Sequence, residues 1–218
     1  MNNELILRII SSILLLLFFL FFIINGSLIF NILLIITFVI ASYEWHLMSK
    51  NKKYYYYGFF FLIFSFITIY KLRINFKYEY WPLLIASLIC IFTDIGGYLF
   101  GKVFRGPKLT IYSPNKTFSG LLGSFIISFC CIPIFLYFNF NILNEEKILN
   151  FVIFIFIISS ISQFGDILIS YFKRNSNIKD SGKIIPGHGG ILDRIDGMLF
   201  ALPSAYYLFL LDFFNVLK

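Results

Sequence analysis

Apolar runs broken at short intervals by polar clusters set the pattern of this chain. Leu5–Ile24, Ser27–Tyr43, Tyr54–Tyr70, Trp81 to about Phe100, Phe118–Phe138, Ile148 to about Phe172 and about Gly197 to Val216 each approach the ~20 residues a helix needs to cross hydrocarbon. The pattern predicts an all-α, polytopic integral membrane protein of about seven transmembrane helices. The first span reads as an uncleaved anchor, because Asn25-Gly26-Ser27 is a poor cleavage site; that same tight turn makes the first two spans a helical hairpin. Pro133 predicts a kink in the fifth span.

Composition agrees. Of the 218 residues 59% are hydrophobic and only 13% charged, against about a quarter in soluble domains. The net charge of +7 sits in short loops between apolar runs, where anionic headgroups account for it, so nucleic acid is not an expected partner. Cys90, Cys130 and Cys131 lie inside apolar runs without metal-ligand spacing and read as small hydrophobes. Trp45 suits the headgroup belt, and His46 reads as an ordinary interfacial histidine. A cytoplasmic N-terminus puts three loops in the cytoplasm: that of Lys50, Lys52 and Lys53, then Gly101–Thr117, then Lys173–Asp196. The acidic Asn139–Lys147 falls opposite; Lys71, Arg73 and Lys77 are the exception to the rule.

Two cytoplasmic loops carry candidate chemistry. Residues 170–197 hold five of the 18 basic residues and three of the 11 acidic ones, which suits phosphate and a divalent cation far better than lipid. Asp166, Ser170 and Lys173 share one helix face at i, i+4 and i+7. Asp94 either faces a polar cavity or, if the fourth span ends near Cys90, lies in the interface. Ser113-Pro-Asn-Lys116-Thr117, just before the fifth span, is either an anion site at a helix start or a loop with an N-cap.

Ser170-x2-Lys173-Arg174-x4-Lys179-Asp180-x5-Pro186-x-His188-Gly189-Gly190-x2-Asp193-Arg194-x-Asp196 resembles the signature of the phosphatidate cytidylyltransferases, the CDP-diacylglycerol synthases. Gly165-Asp166 precedes it as in that family, Ser113–Thr117 resembles its Ser-Pro-x-Lys-Thr element, and Asp94-Ile-Gly-Gly97-Tyr98 with Gly101 resembles a third. The likeness runs from Asp94 to Gly197. Ser119 stands where many members have Glu, Gly97 where many have Ala, and fewer spans precede Asp94 than in longer relatives.

The resemblance implies cytidylyl transfer from CTP to phosphatidate within membrane lipids, in a single membrane domain over residues 1–218: N-terminal helices over 5–80, catalytic helices and loops over 81–218. It implies a possible homodimer and a bacterial inner membrane. It implies Mg2+, with a second cation possible, on Asp166, Asp193 and Asp196; catalytic roles for Asp166, Asp193, Lys173 and Arg194; and substrate contacts from Ser113, Lys116, Thr117, Ser170, Arg174, Lys179, Asp180, His188, Gly189 and Gly190. Bland readings stand beside these: Lys179 and Asp180 as a surface pair, Arg194 as a structural partner of Asp193. Asp193-x2-Asp196-Gly197 also begins like a CDP-alcohol phosphotransferase motif, but Met198-Leu199-Phe200-Ala201 runs straight into a span instead of completing it. A transporter would place acids in spans too, yet no inverted repeat is visible and the phosphate-binding residues crowd a span's end.

Overall fold

The computed structural model describes residues 19–76, 80–113, 116–138, 145–182, 184 and 189–211. Residues 19–25 are helical, followed by α1 (Ser27–Ser49), α2 (Tyr55–Ile74), α3 (Trp81–Phe104), α4 (Phe118–Ser128), α5 (Cys131–Phe138), α6 (Glu145–Asn175), α7 (Leu192–Ile195) and α8 (Met198–Leu210). No strand forms among the described residues; Lys108 and Thr117 make an isolated bridge. Five stretches are long and apolar enough to cross a membrane: Leu28–Ser49, Tyr55–Ile74, Trp81–Phe104, Phe118–Tyr137 and Ile148–Asn175. Met198–Leu210 is a shorter apolar helix. The all-helical, polytopic membrane architecture is as expected. Of the expected outer spans, residues 5–18 and 212–216 lie outside the described residues, as do Lys77 and 139–144 of the acidic loop.

Two expectations need correction, and the kink expected from Pro133 takes a definite place. The second span does not stop at Tyr43, because α1 continues through Glu44, Trp45 and His46 to Ser49. Trp45 is no headgroup anchor. It is 3% exposed, packs edge-on to Phe172, and its Nε1 donates to the Tyr55 carbonyl at 3.0 Å. His46 is exposed and meets the Tyr55 hydroxyl at 2.9 Å, the ordinary role expected of it. The interruption near Pro133 falls at Phe129–Cys130, between α4 and α5. A proline ring clashes with the carbonyl four residues back, here that of Phe129, which instead accepts from the Ile132 amide at 2.9 Å.

Arg73 explains part of the charge exception. It is buried, its Nε donates to the Ile23 carbonyl at 3.2 Å, and its guanidinium lies against Gly26. Gly26 has φ +60, so the hairpin turn is built on a backbone that L side chains rarely adopt. A cation placed on the last carbonyls of a helical turn caps it and opposes the helix dipole. Arg73 therefore acts inside the fold and not as a loop charge.

One apolar cluster joins α3, α6 and α8 through Ile89, Phe154, Ile158 and Ala205; a second, of Trp45, Leu62, Ile169, Leu192 and Leu199, lies beneath the signature segment. Leu28, Ile32, Ile35 and Val39 of α1 point outward, as a lipid-facing surface requires. The α3–α4 pair packs most extensively. A Cβ on Gly120 would lie 2.7 Å from the Gly97 carbonyl, and one on Gly96 would strike that of Gly123. Small residues give membrane helices this close approach.

Candidate active site

Two long-range contacts bring the loops that follow α1, α3 and α6 together. Lys52 Nζ donates to the Asn175 carbonyl at 2.7 Å, and Arg174 Nε to that of Tyr112 at 3.2 Å. The three loops expected on one side thus share one end of the bundle.

On α6, the face predicted from spacing is real. Ser170 Oγ donates to Asp166 Oδ1 at 3.3 Å, Lys116 forms an ion pair with Asp166, and Lys173 Nζ lies 2.8 Å from Asp193 Oδ1. Two glycines bring Asp166 towards Asp196. A Cβ at Gly165 would lie 3.1 Å from the Asp196 carbonyl, and one at Gly197 would lie 2.9 Å from the Ser162 carbonyl. Asp196 is buried, and its amide-bonded carboxyl is raised well above the ordinary carboxylate range, first by burial, then by the charges of Asp166 and Asp94. Asp94 sits within α3, which runs on to Phe104, so the span does not end near Cys90. Its side chain is exposed, and Asp166, Lys116 and Arg194 act on it electrostatically.

Asp193 closes the signature segment. Its Oδ2 accepts from the amides of Ser181 at 2.8 Å and Gly190 at 3.0 Å, while Oδ1 takes Lys173. Burial alone would raise this carboxyl, but the hydrogen bond and charge of Lys173, with the Gly190 and Ser181 amides, hold it below the usual range. Gly189 has φ +85, and a Cβ there would lie 2.8 Å from Asp193 Oδ2. Glu44, reaching in from α1, is 1% exposed and accepts from Ser181 Oγ and the Leu192 amide at 2.8 Å and from the Ile191 amide at 3.0 Å. Sequence reasoning passed over Glu44. The available signal was an acid inside an apolar helix, the same one that singled out Asp94.

Some candidates point elsewhere. Thr117 is the N-cap of α4, accepting from the Gly120 amide at 3.1 Å, and its hydroxyl meets that of Ser119 at 2.9 Å. Ser119 also donates to the Arg105 carbonyl. The half-buried Ser113 uses its amide on Thr110 Oγ1 at 3.1 Å. Arg174 is committed to the Tyr112 and Ile178 carbonyls. Lys179 and Asp180 are exposed. His188 lies outside the described residues, with Lys183, Pro186 and Gly187.

The donors around Asp166 are hard carboxylate oxygens, a set that suits Mg2+. Among the described residues no three His, Cys, Asp or Glu side chains gather as a metal cage. Carboxylates of this kind suit an ion that takes one or two of them and keeps waters among its other ligands. Asp193 already holds three donors on its oxygens, and Asp166 holds two, Ser170 and Lys116.

Phosphatidate cytidylyltransferase of Staphylococcus aureus (strain COL) is 46% identical over 123 residues, covering 56% of this chain and 46% of that protein. Those of Staphylococcus haemolyticus (strain JCSC1435) and Staphylococcus epidermidis (strain ATCC 35984) are 45% and 40% identical over similar stretches. The chain thus matches a little under half the length of these curated relatives. The model of the Cytidylyltransferase family matches residues 54–212, well over half of the sequence and every described element from α2 to α8, and the chain belongs to that family.

Proposed function

We propose that this protein transfers a cytidylyl group from CTP to phosphatidate, giving CDP-diacylglycerol and pyrophosphate. The observation that carries the reading is the convergence of Lys116, Asp166, Lys173, Asp193 and Asp196 at one end of a membrane-embedded bundle, where a lipid phosphate and a water-soluble nucleotide can meet. A phosphate oxygen of phosphatidate attacks the α-phosphorus of CTP. The new P–O bond forms as the bond to the bridging oxygen of the β-phosphate breaks, and that oxygen leaves with its electron pair on pyrophosphate.

Such a reaction needs positioning and charge stabilisation more than a strong base. Lys116, whose ion pair with Asp166 is partly open to solvent, is free to swing onto a substrate phosphate. Lys173 is not: held by Asp193, it fixes the signature segment and contributes a stationary positive charge. Arg194, exposed at the same end, suits bidentate contact with phosphate. When bound at Asp166 and Asp196, Mg2+ would neutralise phosphate oxygens and the carboxylate cluster together. The site end faces the cytoplasm by its Lys50, Lys52 and Lys53 loop, and the bacterial relatives favour the inner membrane.

Purified protein reconstituted with phosphatidate should release pyrophosphate from CTP only when both phosphatidate and Mg2+ are present. Release that is independent of phosphatidate would contradict the reading.

A further inference from the structure

Glu44 stands apart from everything so far assigned a role, since it precedes residues 54–212 matched by the family model. Yet it touches both ends of the segment 181–192, which lies within the signature. Oε2 accepts the Ser181 hydroxyl at the segment's start and the Leu192 amide at its finish, each at 2.8 Å, and Oε1 accepts the Ile191 amide at 3.0 Å. Asp193 also links the two ends, through the Ser181 and Gly190 amides. The fit is close: a Cβ on Gly182 or Gly190 would strike the carboxylate of Glu44.

We infer that Glu44 is a positioning residue for the transfer reaction: from α1 it pins together the two ends of the segment 181–192, which carries the Gly189-Gly190 pair. The inference rests on the reading of the site as a cytidylyl-transfer centre. The chemistry explains why the residue is Glu. A carboxylate offers acceptors on both oxygens, and here both face backbone N–H groups. In Gln one of those atoms becomes an NH2, so whichever way the amide turns, either the Ile191 or the Leu192 amide faces a donor. Asp would fall one methylene short. A buried amide left without an acceptor reopens the joint to water, and displacement of groups by about 1 Å at a reacting centre costs on the order of 100-fold in rate.

The test compares full-length wild type with Glu44→Gln, Ser181→Ala and Ser65→Ala in detergent. Ser65→Ala is the structural control: it removes a buried hydrogen bond of 2.9 Å to the Leu199 carbonyl, between α2 and α8, without touching the segment. Hydrogen–deuterium exchange should show the Ile191 and Leu192 amides at least tenfold less protected in Glu44→Gln, with α3 and α4 unchanged. Ser181→Ala should show a smaller change at the same amides, and Ser65→Ala none. In turnover, Glu44→Gln should lose at least tenfold in kcat/KM for CTP while the KM for phosphatidate moves less than threefold.

Unchanged exchange at Ile191 and Leu192 in Glu44→Gln overturns the inference. So does an activity loss that simply follows Tm equally in Glu44→Gln and Ser65→Ala. Should Glu44→Gln fail to fold, Ser181→Ala decides: local deprotection with reduced kcat/KM supports the anchor, and wild-type behaviour in both overturns it. Should folded wild type transfer no cytidylyl group, the transfer reading fails and the positioning role with it, while the exchange data still report whether Glu44 holds the segment.

Discussion

Lys173 Nζ lies 2.8 Å from Asp193 Oδ1, an ion pair that ties the end of α6 to α7 and is almost closed to solvent. Breaking such a pair by removing one partner leaves a buried charge behind and costs about 3 kcal/mol. Lys173→Met should therefore lower thermal stability by about that amount and reduce transfer at least 100-fold. A fluorescence-detected melt in detergent, run beside the activity assay, checks both; a variant as stable as wild type would show that the pair contributes little.

Acid should loosen the same joint. The carboxyl of Asp193 is held below its unfolded value, so the stability it supplies is fully present above about pH 4 and is lost as pH falls through the depressed folded value. Asp193→Asn should flatten this limb: less stable than wild type at neutral pH, with the difference shrinking in strong acid. Melting curves from pH 3 to pH 7 read it directly, and parallel curves would contradict the assigned cause.

Asp166 should behave oppositely. Its ion pair with Lys116 is about one quarter exposed on each side chain, and pairs of that kind are worth about 0–1 kcal/mol. Asp166→Asn should keep the melting temperature within a few degrees of wild type yet lose at least 100-fold in turnover, a loss not recovered by raising Mg2+. Equal losses of stability and activity would place Asp166 with the structural residues.

The glycines of the α3–α4 contact should split. A Cβ at Gly96 meets backbone, the Gly123 carbonyl, whereas one at Gly97 lies 2.9 Å from the rotatable hydroxyl of Ser124. Gly97→Ala should purify as a folded, active protein; Gly96→Val should not yield a monodisperse peak on size exclusion. The reverse order would mean that α3 and α4 pack differently.

Much of this was legible in the sequence because lipid imposes long apolar runs, and helical spacing alone puts Asp166, Ser170 and Lys173 on one face. The extension of α1 past Tyr43 was hidden for a physical reason. Glu44 and Trp45 look like interface residues locally, but each is buried by partners far along the chain, Ser181 and Leu192 for one and Phe172 for the other. Arg174 shows a partner that the local pattern did not reveal. Its position in a basic run suggested phosphate, while its guanidinium holds carbonyls of two neighbouring loops. Local pattern reports which residues can bear charge, and only the tertiary fold decides which charges are spent on structure.

The most direct test follows the α-phosphorus of CTP. With label there, folded protein, phosphatidate and Mg2+ should move radioactivity into the organic-extractable lipid fraction, and Asp166→Asn should move at least 100-fold less. Absence of labelled lipid from folded wild type across several detergents, or undiminished labelling by Asp166→Asn, would contradict the account.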